Sequence, residues 1–512
     1  MGGVWNGNSR FSRRTTLRFV AVDPNACVLV GAGQSIDRIS RGESPTGPLE
    51  LILEAVATAD QNTSAKESVL PLLQSLRVVR SFGSTPHNFP QVIADTLGVQ
   101  PTELVLSSHG GTMPQKFLAD AALAMAKGSL DCVAIVGGER MAGVSAGVPE
   151  ASTEQEDMGA TRLFGDERTP LTRYELARGL RLPAFIYPLL ETAYRARQGR
   201  TLSDHREVLG ALWQHFAEVA ASNPYAWIQS APSAADIVTP GEANRMIAEP
   251  YTKTMVANLP VNQAACVIAM RYEAALAAGI PRDAMVFFHG HSVANDPWFV
   301  SNRLDLGRSI ALEAASTTLF EYVNASSDDM GLIDLYSCFP VAVELSAQAL
   351  GLSLHDPQRP LTLTGGLTFA GGPGNSYVLH SLAAMVASLR EQREMRGLIS
   401  GLSYFATSHS LGVYGTHPSN KAFASLDAQA VVDRADTKVV DESFVGSGTI
   451  ETFTVTHARD TGPKAVIAAV TTPQGARCWS WTRDPEFAAS VSGKDLLGVP
   501  CSVDAEGRLS LD

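Results

Sequence analysis

The chain has 512 residues, enough for several domain-sized units, and 45% of them are hydrophobic, so it can bury a large core. Its net charge of −12 argues against a nucleic-acid partner, because an acidic surface repels phosphate groups. No apolar stretch reaches about 18 residues and no run of lysine and arginine occurs, so no membrane-spanning helix and no membrane partner are predicted.

The six cysteines are scattered, and no two of them form a C-x-x-C pair. This spacing predicts neither a disulfide framework nor a structural zinc site, and it favours a reducing compartment. His289 and His291 have metal-like spacing, but no third ligand accompanies them, so no metal site is assigned.

Residues 1–25 precede the first predicted strand. The first 22 contain no acidic residue and four arginines, namely Arg10, Arg13, Arg14 and Arg18. A mitochondrial transit peptide has this composition, and so has a disordered leader. We predict a disordered leader and a cytoplasmic protein, with a mitochondrial location as the alternative.

Residues 26–275 are predicted to form a first α/β unit. Cys27-Val-Leu-Val-Gly-Ala-Gly predicts a buried strand and a glycine turn, and Leu104-Val-Leu-Ser predicts a second strand. A helix is predicted from Gln115 to Lys127, before a strand at Asp131-Cys-Val-Ala-Ile-Val. This alternation indicates a largely parallel sheet covered on both faces.

Residues 140–250 are mostly helical in pattern and are predicted to form an insertion. The alternation then resumes in residues 276–425, with strands predicted at Met285-Val-Phe-Phe-His and Gly331-Leu-Ile-Asp-Leu. A helix follows each of these strands. The two units share one order of elements, which indicates an internal duplication.

Residues 430–512 differ from the rest, because three segments rich in strand-forming residues are separated by turn residues. They are Thr449-Ile-Glu-Thr-Phe-Thr-Val-Thr, Lys464-Ala-Val-Ile-Ala-Ala-Val and Ala476-Arg-Cys-Trp-Ser-Trp-Thr. Short strands joined by hairpin turns predict a small, OB-like antiparallel β-barrel.

Several motifs resemble the thiolase superfamily. Ala122-Leu-Ala-Met-Ala-Lys-Gly and Val133-Ala-Ile-Val-Gly-Gly-Glu resemble the helix and strand after the thiolase nucleophile loop, and Gly371-Gly-Pro-Gly resembles the Gly-His-Pro motif. A closer resemblance is to the sterol-carrier-type, thiolase-like proteins of type 1. It rests on Gly110-Gly-Thr-Met-Pro-Gln, Asn223-Pro-Tyr-Ala-Trp, Pro250-Tyr-Thr-Lys, Asp334-Leu-Tyr-Ser-Cys-Phe-Pro and Gly412-Val-Tyr-Gly-Thr.

This resemblance extends over nearly the whole chain after the leader. It implies an α/β thiolase fold with two βαβαβαββ halves, layered α-β-α-β-α, and an additional C-terminal β-domain. It also implies an acyltransferase-like protein of lipid metabolism that acts on a coenzyme A thioester, with no permanently bound cofactor. Most thiolases are dimers, so a homodimer is possible.

The catalytic elements of a thiolase are all changed in this sequence. The nucleophile loop reads Ser107-Ser-His-Gly-Gly-Thr-Met-Pro and has no cysteine, and the asparagine element reads Tyr336-Ser-Cys-Phe. Gly372 stands in place of the active-site histidine, and Gly401-Leu-Ser-Tyr-Phe has no acid/base cysteine. Because such groups act as a unit, we expect no thiolytic activity by the standard route.

The resemblance predicts a glycine-rich cleft where loops of both halves meet. The candidates for binding the thioester are glycines that let backbone N–H groups approach a carbonyl or phosphate: Gly110, Gly111, Gly371 and Gly372. The candidate catalytic side chains are Tyr336, His409, His109, Cys338 and Tyr404.

Structural roles compete with these assignments. His109 is either a general base or a helix cap, and Cys338 is either a relocated nucleophile or an inert buried thiol. Tyr336 either donates a hydrogen bond to an enolate or bonds within the core. His409 lies near the position of the thiolase acid/base cysteine, where the same choice is open.

Two classes of function follow. The first is an enzyme that performs acyl transfer, or carbon–carbon bond formation or cleavage, without an acyl-cysteine. The resemblance to thiolase-like aldolases, which use tyrosines and pair with a β-barrel partner, adds a retro-aldol variant to this class. The C-terminal barrel would take the place of that partner. The second is a non-catalytic protein that binds coenzyme A or lipid.

Overall fold

The computed structural model describes residues 22–38, 46–83, 85–143 and 158–511. The predicted leader therefore lies outside the described residues, except for its last four. No helix in this described part has the length and apolarity needed to span a bilayer.

The first half alternates strands and helices before and after an insertion. Its elements are β1 (Cys27–Ile36), α1 (Pro48–Gln61), β2 (Ser75–Val78), α2 (Phe89–Leu97), β3 (Glu103–Ser107), α3 (Met113–Ala126) and β4 (Cys132–Arg140). The insertion contains β5 (Arg162–Phe164), α4 (Arg173–Ala177), α5 (Pro183–Arg197), α6 (Leu202–Ser222), α7 (Ala234–Val238), β6 (Met246–Ala248) and β7 (Tyr251–Thr252). The half then closes with β8 (Asn262–Arg271) and α8 (Tyr272–Ala277).

The second half repeats this alternation, except that residues 361–364, in the place of β3, form no strand. Its elements are β9 (Val286–Asn295), α9 (Ile310–Val323), β10 (Met330–Asp334), α10 (Pro340–Leu350), α11 (Gly366–Phe369), α12 (Tyr377–Glu391), β11 (Arg396–Ser403), β12 (Ser408–Gly415) and β13 (Ser425–Asp427). The sheets of the two halves join where β1 pairs antiparallel with β9. Neighbouring strands follow the order β10-β11-β12-β9-β1-β8-β4-β2-β3-β5. The predicted duplicated α/β fold is confirmed, although β1, β8, β9 and β12 pair antiparallel and the sheet is mixed.

Strand β8 shows why this sequence forms a layered fold. Ala264, Cys266 and Ile268 face one hydrophobic core, which also contains residues of α1 and α2. Alternate residues Ala265 and Val267 face a second core that includes α3 and α12. A strand whose two faces are both apolar must be covered on both sides, and α3 and α12, one from each half, contact each other in the layer between.

Asp334 explains why no strand forms at 361–364, after α10. Its carboxylate, at the end of β10, accepts hydrogen bonds from the backbone N–H groups of Leu363 (2.8 Å) and Thr364 (3.2 Å). Ser381 of α12 also donates to it, at 2.7 Å. A buried side chain therefore satisfies backbone groups that a strand partner would otherwise bond.

The C-terminal region forms a second, antiparallel sheet. Its elements are α13 (Gln429–Val432), β14 (Gly446–Ala458), β15 (Gly462–Thr471), β16 (Arg477–Thr482), α14 (Pro485–Val491), β17 (Pro500–Val503) and β18 (Leu509–Leu511). The order is β16-β15-β14-β17-β18, and β6 of the insertion pairs with β14. The predicted antiparallel sheet is confirmed, but no ladder joins β16 to β18 among the described strands, so closure into a barrel is not seen.

Arg477 connects this sheet to the second half. Its side chain is fully buried, pairs with Glu451, and donates to the carbonyl oxygens of Ser301 (2.8 Å) and Arg303 (2.6 Å). On β14, the Thr452 hydroxyl donates to the carbonyl oxygen of Leu189 in α5, at 2.6 Å. The C-terminal sheet is therefore bonded to both the second half and the insertion.

The substitution Arg477→Lys should lower the free energy of unfolding by about 1–3 kcal/mol, because one ammonium group cannot replace the planar guanidinium at two carbonyls and a carboxylate. Chemical denaturation would measure the loss. Arg483→Lys, at an exposed position in the same sheet region, is the matched control. Equal stabilities of the two variants would contradict the assigned role of Arg477.

Candidate active site

A cavity of about 740 Å³ opens where loops of both halves meet the insertion. Its walls include the loop before α3, the loop before α10, the β11–β12 turn and the start of α5. Most of the lining is apolar, with Phe82, Leu182, Val256, Leu259, Leu367 and Phe405 among its members. Such a cavity suits an apolar group carrying a small polar centre.

The predicted glycine loop lies in this wall. Gly110 has a φ of +138°, and a Cβ there would lie 2.4 Å from Ser403 Oγ. A Cβ on Gly111 would lie 2.6 Å from the Tyr336 hydroxyl and 2.5 Å from the Leu402 carbonyl oxygen. The Gly111 N–H has no acceptor among the described residues, so it is available to a ligand.

The substitution Gly111→Ala should lower the free energy of unfolding by about 1–3 kcal/mol, because the new methyl group forces Tyr336 and the end of β11 apart. Gly241→Ala is the control, since nothing lies within 4 Å of a Cβ there. Thermal or chemical denaturation would measure both variants. An unchanged Gly111→Ala would contradict the close packing described.

Tyr336 places a buried hydroxyl group beside this loop. The residue is 8% exposed, its ring meets that of Tyr377 edge-on at 5.4 Å, and its hydroxyl has no hydrogen-bond partner among the described residues. Burial raises the pKa of Tyr336 well above its usual value. The hydroxyl is therefore a neutral hydrogen-bond donor at physiological pH.

Cys338 also lines the cavity, just before α10. Burial raises the pKa of its thiol to about 12, although the Tyr187 hydroxyl and the Phe339 N–H act in the opposite direction. A thiol with this pKa is protonated at neutral pH and is a poor nucleophile. The geometry places Cys338 at the site but does not activate it.

His109 is exposed to the cavity and stacks on Phe82, with the ring centroids 5.3 Å apart. Its Nδ1 lies 3.1 Å from the amide nitrogen of Asn375. Burial, and then the charge of Arg80, lower the pKa of His109, while Glu167 opposes them. The imidazole is therefore neutral at physiological pH.

Tyr404 lies at the rim, with a left-handed backbone at φ +61°. Its hydroxyl donates to the carbonyl oxygen of Asp166 (2.9 Å), and its own carbonyl oxygen accepts from the Tyr187 hydroxyl (3.1 Å). These bonds tie the β11–β12 turn to the insertion. Tyr404 thus has partners that hold the rim together, unlike Tyr336.

His409 lies outside the cavity lining. It is 2% exposed, and its Nε2 lies 3.2 Å from Asp296 Oδ2 and 3.3 Å from Ser309 Oγ. Ser309 caps the start of α9, so this cluster fixes a helix end. Burial acts to raise the pKa of Asp296. Hydrogen bonds from His409 and Ser309 and the charge of Arg303 outweigh this effect, so the pKa lies below its ordinary value.

Gly371 and Gly372 are also absent from the lining. A Cβ on Gly371, whose φ is +113°, would lie 2.2 Å from Gln263 Oε1, and the Gly372 N–H donates to the Asn258 carbonyl oxygen at 2.9 Å. The next residues of this loop, Gly374 and Asn375, reach the cavity instead. The structure thus brings His109, Gly110, Gly111, Tyr336, Cys338 and Tyr404 together and leaves His409, Gly371 and Gly372 elsewhere.

Behind the cavity lies a buried cluster that sequence analysis did not find. Glu191 and Glu344 are fully buried, and His205 Nε2 lies 2.7 Å from Glu191 Oε1. The Tyr251 hydroxyl donates to Glu191 Oε2 (2.5 Å), and Arg200 Nη1 lies 3.3 Å from His205 Nδ1 and 3.4 Å from Glu344 Oε1. No sequence signal links these residues, because they come from three helices, the loop between α5 and α6, and a short strand.

This cluster has the donor types of a metal site, with three candidate ligand atoms within 4.8 Å of one another. However, a guanidinium group can only donate, so His205 Nδ1 accepts a hydrogen bond from Arg200 and His205 Nε2 donates to Glu191. Glu344 is paired with Arg200 and lies beside Glu191, and a proton shared by the two carboxyl groups balances the remaining charge. Burial, and then the charge of Glu191, raise the pKa of Glu344 well above its usual value.

Comparison with known proteins agrees with this architecture. The family model of the thiolase-like protein type 1 additional C-terminal domain matches residues 427–508. The crystal structure of a monomeric SCP2-thiolase-like protein type 1 from Mycobacterium smegmatis shares 30% sequence identity, with a TM-score of 0.83. The match covers 96% of this chain and 100% of that one. The chain belongs to the SCP2-thiolase-like proteins of type 1.

More distant structures share the fold of this type 1 protein. An Ltp2–ChsH2(DUF35) aldolase has 18% identity and a TM-score of 0.56, over 77% of this chain and 99% of that one. An acetyl-CoA acetyltransferase from Syntrophomonas wolfei has 14% identity and a TM-score of 0.55, over 77% of this chain and 100% of that one. The sequence has no match among curated proteins.

Proposed function

We propose that this type 1 protein binds an acyl-CoA or a related acyl thioester in the cavity and processes it without an acyl-cysteine. The reaction would be acyl transfer, or carbon–carbon bond formation or cleavage through an enolate. The observation that carries the proposal is a neutral Tyr336 hydroxyl beside the Gly111 N–H in an apolar cavity, neither group having a partner within the described part of the chain.

Two such donors suit an oxygen that becomes negatively charged. In carbon–carbon cleavage of a β-hydroxyacyl thioester, water takes the proton of the hydroxyl group and the bond between the α and β carbons breaks. The β carbon leaves as an aldehyde or ketone, the electrons of the broken bond form the thioester enolate, and the enolate then takes up a proton at its α carbon. A buried donor that is already in place stabilises the enolate oxygen strongly, because bulk water is excluded. The aldolase with this fold supports cleavage as one option.

A second candidate, a non-catalytic thioester- or lipid-binding protein, is favoured by Cys338. Its thiol has a pKa raised to about 12, and His409 lies outside the cavity, so the covalent route has neither a thiolate nor that histidine. The binding cavity would remain after the chemistry is lost.

The test is incubation of the protein with β-ketoacyl-CoA and β-hydroxyacyl-CoA panels of increasing chain length, with products detected by mass spectrometry. The expected result is an acyl-CoA shortened by cleavage, together with the carbonyl compound that the cleavage releases. Saturable binding without conversion of any thioester would instead support the second candidate.

A further inference from the structure

Asn375 connects the two loops that form the polar end of the cavity. It is 2% exposed and follows Gly374, whose φ of +52° turns the loop before α12. Its Oδ1 accepts the Gly110 N–H at 2.7 Å, and its Nδ2 donates to the Arg80 carbonyl oxygen at 2.7 Å. The same Nδ2 lies 3.1 Å from His109 Nδ1.

These partners leave the Asn375 amide one orientation. A flipped amide would place its NH2 group against the Gly110 N–H and its oxygen against the Arg80 carbonyl, which are two repulsive contacts. With Nδ2 fixed as the donor, His109 Nδ1 must accept. A neutral imidazole that accepts at Nδ1 carries its proton on Nε2.

We propose that Asn375 is a positioning residue that holds His109 as the Nε2–H tautomer, so that His109 offers the carbonyl oxygen of an acyl thioester a hydrogen bond instead of acting as a base. The identity of the ligand as an acyl thioester rests on the proposed function. The tautomer rests only on the contacts of His109 and Asn375. Stacking on Phe82, at an interplanar angle of 9°, fixes the plane of the ring.

The charged neighbours of His109 are Arg80 and Glu167, which act on it in opposite directions. Neither Arg80 nor Glu167 accepts a hydrogen bond from His109 Nδ1, because that nitrogen faces the Nδ2 group of Asn375. An aspartate at position 375 would reverse this arrangement. Its carboxylate would accept from Nδ1–H and favour the imidazolium ion.

The experiment is NMR of the full chain labelled with ¹⁵N-histidine, with the His109 signals assigned by their loss in His109→Gln. We expect the wild-type spectrum to show a protonated Nε2 and an unprotonated Nδ1. In Asn375→Asp, Nδ1 should become protonated and the titration midpoint of His109 should rise by about 1–3 pH units. Ser376→Ala is the matched control, because it removes the bond from Ser376 Oγ to the Pro373 carbonyl in the same loop and should reproduce the wild-type tautomer.

An Nδ1–H tautomer in the wild type would overturn the inference, as would an Asn375→Asp variant with an unchanged tautomer and midpoint. The wild-type spectrum decides the tautomer even if Asn375→Asp does not fold. Addition of octanoyl-CoA to the same sample tests the ligand: the expected result is a shift of the His109 Nε2 signal. If no thioester binds while the tautomer is as expected, the proposed function fails and the positioning role stands. If octanoyl-CoA binds but His109 carries Nδ1–H, the inference alone fails.

Discussion

Glu344→Gln should leave the protein at least as stable as the wild type at pH 8, whereas Glu191→Leu should lower the free energy of unfolding by about 3–5 kcal/mol. The side-chain amide of glutamine has the shape of the protonated Glu344 carboxyl group. Its NH2 group can donate a hydrogen bond to Glu191, and it does not titrate. Leucine at 191 removes the acceptor of both His205 and Tyr251 and leaves two buried donors unpaired. Chemical denaturation of the three proteins would measure the contrast.

The pair of Glu191 and Glu344 also predicts that the free energy of unfolding depends on pH, with a definite sign. The pKa of Glu344 is raised above its ordinary value of 4.5 by burial and then by the charge of Glu191. Above pH 4.5 the unfolded chain therefore releases a proton that the folded chain keeps, and stability falls as pH rises. Wild-type stability should decline from pH 5 to pH 8 more steeply than that of Glu344→Gln. Parallel curves would contradict a shared proton in the cluster.

Tyr336→Phe should reduce kcat on any thioester that the protein converts by about 10²–10³-fold and change binding only a few-fold, because it removes one donor to the developing oxyanion and keeps the ring. Steady-state kinetics and calorimetry would measure the two effects separately.

Tyr322→Phe is the control for this substitution, since the Tyr322 hydroxyl donates to the Ala422 carbonyl oxygen, with neither residue in the cavity lining. Turnover by Tyr336→Phe at the wild-type rate would remove Tyr336 from the mechanism.

Local patterns in the sequence predict most of the fold. The apolar runs at β1 and β4 specify strands buried on both faces, and the helix predicted at Gln115–Lys127 forms as α3, Met113–Ala126. The conformation of residues 361–364 is not predictable in this way, because Asp334 bonds their backbone through a contact of the tertiary structure. Barrel closure likewise depends on strand pairing across the sheet, which hairpin signals do not encode.

The candidate site was predictable only in part. The glycine loop and Tyr336 stand in family motifs, so their positions carry over with the fold. His409 aligns near a thiolase catalytic cysteine, yet its side chain turns to Asp296 and Ser309. The contact between His109 and Asn375 joins residues 266 positions apart, and no sequence pattern marks it.

The most direct test of the proposed thioester site is calorimetric titration of the wild-type protein with CoA, and then with short-, medium- and long-chain acyl-CoAs. We predict saturable binding that tightens from free CoA to acyl-CoA, because the apolar cavity buries the acyl chain. The absence of binding to CoA and to every acyl-CoA would contradict a thioester site in this protein.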